Sequence, residues 1–365
     1  MLVEILGVAA AYLIGSIPFG YLVARARGVD IFQAGSGNIG ATNVGRVLGR
    51  PYGLAVFALD LLKGAVPTAI VKALAGDPIW AVAAGLGAIL GHLFPIYLRL
   101  RGGKGVATGF GVVAVLLPLP ALAAFAVWLV LAVTTRIVSL ASIAAALVLA
   151  AGRLVTTPEP FAPGERGLTG FCLLAAALVI VKHRSNIARL INGKESRLAE
   201  TRGLQLVGRG LHVLALGVWF GAGVMFSLIV GPSLFATLDS RVAGDAVRPI
   251  FPIYFALQGA CGLVALATAA GWTRIGRVHR LRFIVIAAAL ALVLAGWPIV
   301  GTVAELREAR HSANPTIAEP ATAAFARWHG ISLGLNLTAL SLTGFALALA
   351  AALPSPRITD EHDSI

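Results

Sequence analysis

The chain has 365 residues, 58% of them hydrophobic and only 12% charged, with a mean hydropathy of +0.88, against roughly 25% charged residues in a soluble domain. This composition excludes a soluble globular enzyme. The formal net charge of +13 does not point to nucleic acid either, because the Lys and Arg residues sit in short loops between long apolar runs, as on the cytoplasmic face of a membrane protein.

With about 20 residues per membrane span, helices are predicted near 2–24, 52–74, 79–97, 106–118, 120–134, 138–155, 168–181, 211–236, 250–270, 283–301 and 330–353. Residues 2–24 carry Glu4 where a secretory signal has a basic region, and the run is long enough to span, so it reads as a retained first helix. The fourth and fifth runs are short and bounded by Pro118 and Pro120, which suits a re-entrant hairpin. The polar stretch from Lys182 to Arg209 is the longest basic segment and is taken as a domain boundary. The fold class is therefore all-α, a polytopic membrane protein with a seven-helix block (1–200) followed by a four-helix block (201–365). Cys172 and Cys261 both lie inside apolar runs, so neither a disulfide framework nor a Cys-based zinc site is expected.

Loop charge orients these spans, since short cytoplasmic loops hold the excess of Lys and Arg. Alternate loops on one side contain Arg25, Arg27, Arg46 and Arg50 against Asp30, then Arg99, Arg101 and Lys104 with no acid. The basic 182–209 stretch and the Arg274, Arg277, Arg280 and Arg282 loop fall on that same side. Loops on the other side balance, as with Arg153 and Arg166 against Glu159 and Glu165. The N-terminus is expected outside and the C-terminus inside, with only the tail dissenting, where Asp360, Glu361 and Asp363 outnumber Arg357.

Three segments on the basic side are rich in glycine and small polar residues, which a loop that merely joins helices does not need. The first is Gly35-Ser36-Gly37-Asn38-Ile39-Gly40-Ala41-Thr42-Asn43 followed by Arg46; glycines let backbone N–H groups approach an anion, and Ser, Thr and Asn add neutral donors. It contains G-x-G-x-x-G, but no alternating strand and helix units follow and Asp60 lies in an apolar run, so a dinucleotide fold is rejected. The second runs from His92-Leu93-Phe94-Pro95 to Arg101-Gly102-Gly103-Lys104-Gly105, exposed amides beside a point cation suited to phosphate. The third is His183-Arg184-Ser185-Asn186-Ile187-Ala188-Arg189, then Gly193 and Glu195; on a continued helix His183 and Asn186 share a face. Asp60 and Lys63, three residues apart within or near the second helix, are site candidates because an intramembrane charge is costly unless it is paired or faces a polar cavity. A pairing that only locks helices is the alternative.

With these residues the sequence resembles the PlsY family, the acyl-phosphate:glycerol-3-phosphate acyltransferases of bacterial phospholipid synthesis. The resemblance runs from Gly15-Ser16-Ile17-Pro18 through Gly35–Asn43, Asp60-Leu61-Leu62-Lys63-Gly64, His92–Pro95 and Gly102–Thr108 to His183–Glu195. It implies a seven-helix fold in the bacterial inner membrane with a cytoplasmic active site, and acyl transfer from acyl phosphate to the 1-hydroxyl of glycerol 3-phosphate, giving lysophosphatidic acid and phosphate. It implies Ser36, Arg46, Lys104, His183 and Asn186 at the site, with the Gly102–Gly105 loop binding glycerol 3-phosphate. Taken with the reading of the three segments, Ser36, His183 and Asn186 are expected in catalysis, and Gly37, Asn38, Thr42, Asn43, Arg46, Asp60, Lys63, His92, Arg101, Gly102, Gly103, Lys104 and Gly105 are expected to hold substrate. Before Gly35, where the family usually carries basic residues, this chain reads Asp30-Ile31-Phe32-Gln33-Ala34.

Acyl phosphate is already activated, so no cofactor is expected, and the partners are the two phosphorylated substrates and the bilayer, not nucleic acid. None of His92, His183, His212, His279, His311 or His329 has Asp five positions on, the pattern of acyltransferases that use thioesters. The competing class is a transporter for an organic phosphate. Its path would place polar residues along both halves of the helices, whereas these gather on one side. Residues 211–353 resemble a small family of four-helix membrane domains related to transmembrane protein 205, through Leu211-His212, Trp219-Phe220-Gly221, Gly231-Pro232 to Phe235, and Phe325 to His329-Gly330, Ser332 and Asn336; that resemblance implies no function. Labels at Gly164 and Gly276 test the orientation: the first is expected to react with an impermeant reagent from outside intact cells and the second only after lysis. Outside labelling of Gly276 would invert the topology.

Overall fold

The computed structural model describes residues 1–353, and among these every regular element is helical. The acidic tail weighed above lies outside the described residues. The chain divides into two compact units, Met1–Leu198 and a second that starts at Ala199.

In the first unit, the predicted first helix is two pieces, α1 (Leu2–Gly15) and α2 (Phe19–Ala26). Pro18 has no amide hydrogen to continue the ladder, and the Ile14 carbonyl accepts from the Ile17 amide at 3.1 Å instead. The Ile17 carbonyl, turned out at the break, accepts from Lys63 Nζ at 2.8 Å and from the Phe19 amide at 3.1 Å. Lys63 also pairs with Asp60 at 2.8 Å, both side chains being almost wholly buried. Lys63 thus satisfies a broken helix and a buried carboxylate together, the locking role weighed above. After a short helix that hydropathy does not reveal, α3 (Ala41–Leu48), come α4 (Arg50–Leu74) and α5 (Pro78–Leu93). The Asp77 carboxylate accepts from the Ile79 amide at 2.9 Å with Pro78 in the first turn, a combination that starts a helix.

Then follow α6 (Val106–Leu116), α7 (Pro118–Thr135), α8 (Val138–Thr156), α9 (Arg166–Lys182) and α10 (Arg184–Ile191). Only one member of the expected short pair is short. The 11 residues of α6 reach about 16 Å, roughly half of a ~30 Å hydrocarbon core. The 18 residues of α7 are long and apolar enough to cross, because both Pro118 and Pro120 lie in its first turn, where absent amide hydrogens break no bond. Small residues let α6 and α5 approach their neighbours at backbone distance. A Cβ on Gly64 or Gly111 would strike the Thr108 or Leu61 carbonyl between α4 and α6, and one on Gly15 or Gly91 would strike the backbone between α1 and α5.

The second unit is built on α11 (Arg202–Val224), a π-helical stretch Met225–Val230, α12 (Gly231–Thr237), α13 (Ser240–Val247), α14 (Ile250–Ala270), α15 (Arg277–Ala309) and α16 (Pro315–Leu349). Its helices outrun the expected 211–236, 283–301 and 330–353, since hydropathy marks the apolar portion and the polar ends stay helical. Pro320 interrupts little, because the bond it forgoes is to a carbonyl in the first turn of α16. The expected polar linker from Lys182 to Arg209 is likewise helical at both ends, in α10 and α11. His212 is fully buried, its Nδ1 2.9 Å from Thr268 Oγ1.

Lys63→Met should leave the buried Asp60 carboxylate with only the His92 ring, 3.7 Å away, and it is expected to destabilise the first unit by about 3–5 kcal/mol, read as a fall in melting temperature of the purified protein. Adding Asp60→Asn should recover most of the loss. An unchanged melt for Lys63→Met would rule out the locking role.

Candidate active site

Three polar segments that are distant in sequence converge on one cavity of about 640 Å³ within the first unit. Its mouth is lined by Ser36, Asn38, Thr42, Asn43 and Arg46 from the first segment, Lys104 and Gly105 from the second, and His183 and Asn186 from the third. Asp60 and His92 reach the same wall. Deeper in, the lining turns apolar, with Phe110 and Val113 of α6, Ala124, Phe125 and Trp128 of α7, Ala145 and Leu149 of α8, and Ala176 and Val179 of α9. A charged mouth that opens on an apolar slot is the shape of a site for an amphiphile.

The first segment holds itself. Asn43 Oδ1 accepts the Ser36 amide at 2.8 Å, while Asn43 Nδ2 donates to the Ala34 and Asn38 carbonyls at 3.0 and 2.9 Å. The Gly40 amide goes to Asn38 Oδ1 at 2.9 Å and the Gly37 amide to the Ala34 carbonyl at 3.0 Å. These amides are therefore spent inside the loop, contrary to a cradle built from them. What the loop presents to the cavity is side chains, Ser36, Thr42 and Arg46, all exposed. Gly35 and Gly37 have φ of +60° and +67°, the left-handed region open to glycine.

In the second segment Gly102, Gly103 and Arg101 do not line the cavity. The Gly103 amide donates to the His92 carbonyl at 3.1 Å, and a Cβ there would collide with the His92 ring, so these glycines let the loop lie against the end of α5. Arg101 places its guanidinium 4.9 Å from the Phe32 ring centroid. A cation thus stands in space beside the stretch before Gly35 that lacks one in sequence. His92 Nδ1 is 3.2 Å from Thr108 Oγ1 and 3.7 Å from Asp60, which makes it a buried brace within the cavity wall.

The third segment bends by 60° between α9 and α10. The bend puts His183 at the corner and leaves both His183 and Asn186 buried, facing one cavity. His183 Nδ1 lies 2.7 Å from the Val179 carbonyl, so Nδ1 carries the proton and Nε2 is left as an acceptor. Asn186 Oδ1 accepts from Lys104 Nζ at 2.5 Å, while its Nδ2 donates to Glu195 Oε1 at 2.6 Å. Glu195 also accepts from Ser139 Oγ at 2.8 Å and Arg189 Nε at 2.7 Å. Burial pushes the Glu195 carboxyl up, but the hydrogen bonds from Asn186, Ser139 and Arg189 outweigh it and hold the group below the usual carboxylate range. Desolvation lowers Lys104 to about 8, with Arg189 and Arg46 acting in the same direction against Glu195.

Glu195, Arg189 and Ser139 carry this network, although in sequence the first two are only members of the third motif and Ser139 lies outside every motif. The one signal for Ser139 was the pair Ser139 and Ser142 on one face of an apolar helix. Ser142 accepts from the indole of Trp128 at 3.2 Å.

Fold and site together define a polytopic membrane enzyme that handles a phosphorylated amphiphile. Residues 5–193 match the family described as "Glycerol-3-phosphate acyltransferase", and the chain belongs to that family; residues 214–312 match "Domain of unknown function (DUF4149)". The chain is similar to the glycerol-3-phosphate acyltransferase of Geobacter sulfurreducens, 47% identical over 197 residues, which cover 54% of this chain and 98% of the relative. It is similar to that of Aquifex aeolicus as well, 43% identical over 193 residues, 51% of this chain and 95% of the relative. A crystal structure of PlsY (YgiH), an integral membrane glycerol 3-phosphate acyltransferase in its glycerol 3-phosphate form, is 42% identical with a TM-score of 0.50, over 54% of this chain and 96% of that one.

The Lys104 amine predicts a pH effect. Its pKa is depressed from the ordinary 10.5, so the empty site loses a positive charge as pH rises through about 8. The KM for the phosphorylated acceptor should then climb between pH 8 and 10, by up to about tenfold per unit. Lys104→Arg keeps its charge and should flatten that profile, whatever its absolute activity; a wild-type KM constant over the range would remove Lys104 from phosphate binding.

Proposed function

We propose that the first unit, residues 1–200 in the sequence division, transfers an acyl group from acyl phosphate to the 1-hydroxyl of glycerol 3-phosphate on the cytoplasmic face of the bacterial plasma membrane. The observation that carries this reading is the single cavity with Arg46 and Lys104 at its polar mouth and an alanine-rich apolar slot behind, room for an anionic head and an acyl chain. The relatives are named for glycerol 3-phosphate; acyl phosphate as donor rests on the family resemblance, with no thioester-type His and Asp pattern in the chain. The cytoplasmic side rests on loop charge.

In the reaction the glycerol hydroxyl oxygen attacks the acyl carbonyl carbon, the bond from that carbon to the phosphate oxygen breaks, and phosphate leaves with the electron pair. The hydroxyl proton passes to His183 Nε2, which its Nδ1 bond to Val179 leaves free to accept, and then to the departing phosphate. Lys104 and Arg46 hold the two phosphates in register and offset the charge that develops. Asn186, fixed by Glu195, aims Lys104. Ser36 at the exposed lip of the first segment hydrogen-bonds substrate.

The test supplies purified protein with labelled glycerol 3-phosphate and either acyl phosphate or acyl-CoA. Lysophosphatidic acid should form with acyl phosphate alone; product from acyl-CoA alone would overturn the donor. His183→Ala should lower kcat by about 10²-fold or more with little change in KM. A variant that recovers full turnover at high glycerol 3-phosphate would make His183 a phosphate ligand and pass the base role to a substrate oxygen.

A further inference from the structure

The second unit has a cavity of its own, about 290 Å³, lined by the π-helical stretch and α12, α13, α14, α15 and α16. The π turn has a local cause: Pro232 cannot donate back along the helix, so the turn before it widens, and such widened turns frequently mark functional sites. The widening puts Phe226 and Ser227 on the cavity wall. Phe226, Phe251 and Tyr254 form an aromatic box, with Phe226 5.4 Å from Phe251 and 4.8 Å from Tyr254 between ring centroids.

Three neutral groups close a ring at this wall. Tyr254 Oη donates to Asn336 Oδ1 at 2.9 Å and Asn336 Nδ2 donates to Ser227 Oγ at 2.8 Å. The Ser227 hydroxyl, 3.3 Å from Tyr254 Oη, then completes the circuit. Asn336 keeps one N–H and one lone pair beyond the ring, so it can both donate and accept towards a ligand. The charges at the cavity are already answered: Arg307 pairs with Asp245 at 2.6 Å and Arg248 with Glu308 at 2.8 Å. An anion therefore finds no unpaired cation on this wall, unlike at the mouth of the first unit.

We propose that this cavity binds an uncharged ring compound bearing a phenolic hydroxyl or a carbonyl, with the ring in the aromatic box and the oxygen on Asn336. Its volume lies at the small end for ligand sites, which excludes a two-chain phospholipid. A rigid ring also loses less conformational freedom on entry than a flexible chain.

The probe is 1-naphthol, with naphthalene, 1-naphthoate and monodecanoylglycerol as comparators, dialysed against the full chain in lipid nanodiscs and against empty nanodiscs. Saturable binding of 1-naphthol above the empty-disc background is expected, about five- to tenfold tighter than naphthalene, the worth of one or two neutral hydrogen bonds. Asn336→Leu should erase that difference. Ala304→Trp, which fills the cavity without touching the ring of hydrogen bonds, should abolish saturable binding, and Ser332→Phe on the facing helix serves if the tryptophan variant does not fold. No saturable binding, equal retention by a folded cavity-filled variant, naphthalene equal to 1-naphthol, or tighter binding of 1-naphthoate or monodecanoylglycerol would each overturn the proposal.

Discussion

One buried carboxylate organises the chemistry of the first unit. Glu195 takes a hydrogen bond from α8 through Ser139 and two from α10 through Asn186 and Arg189. Because its Oε1 already holds the amide nitrogen of Asn186, the amide can present only its oxygen to Lys104. Without that constraint the Asn186 amide could flip, offer N–H groups to an ammonium ion and repel it. The second and third polar segments meet through this contact. A half-satisfied buried network is worse than none, so Glu195, Asn186 and Lys104 stand or fall as a group.

The two cavities show how charge compensation sorts ligands inside one chain. At the first, Asp60 is answered by Lys63 and Glu195 faces Arg46, Lys104 and Arg189, and the surplus of positive charge suits phosphate. At the second, each arginine on the wall has its carboxylate, and neutral hydroxyl and amide groups are what the wall presents.

The sequence made the helical class and the three polar segments plain, because membrane spans and glycine-rich loops leave strong local signals. It was less informative wherever a residue's role is set by what it packs against. Gly103 reads as a phosphate-facing glycine, yet its neighbour is the His92 imidazole; Lys63 reads as a substrate ligand, yet it serves Asp60 and the Ile17 carbonyl at the break between α1 and α2. Ser139 carries only a weak local pattern, a second serine three residues on along the same face of an apolar helix. The missing cation before Gly35 was visible, but Arg101 over Phe32 was not, since only the fold brings two loops so distant in sequence together. Helix ends in the second unit lie beyond the apolar stretches because hydropathy reports immersion, and α15 and α16 continue past it.

The brevity of α6 has a consequence for how its end is housed. A helix of about 16 Å that is clamped to α4 at Gly64 and Gly111 stops well short of a ~30 Å hydrocarbon core. Backbone that breaks off at such a depth is tolerated only where protein or a cavity covers it. Of the residues of α6 only Ala114 is exposed, and Phe110 and Val113 line the cavity. The packing that hides the break before Pro118 is therefore the same packing that forms the apolar wall, so a change that loosens one opens the other.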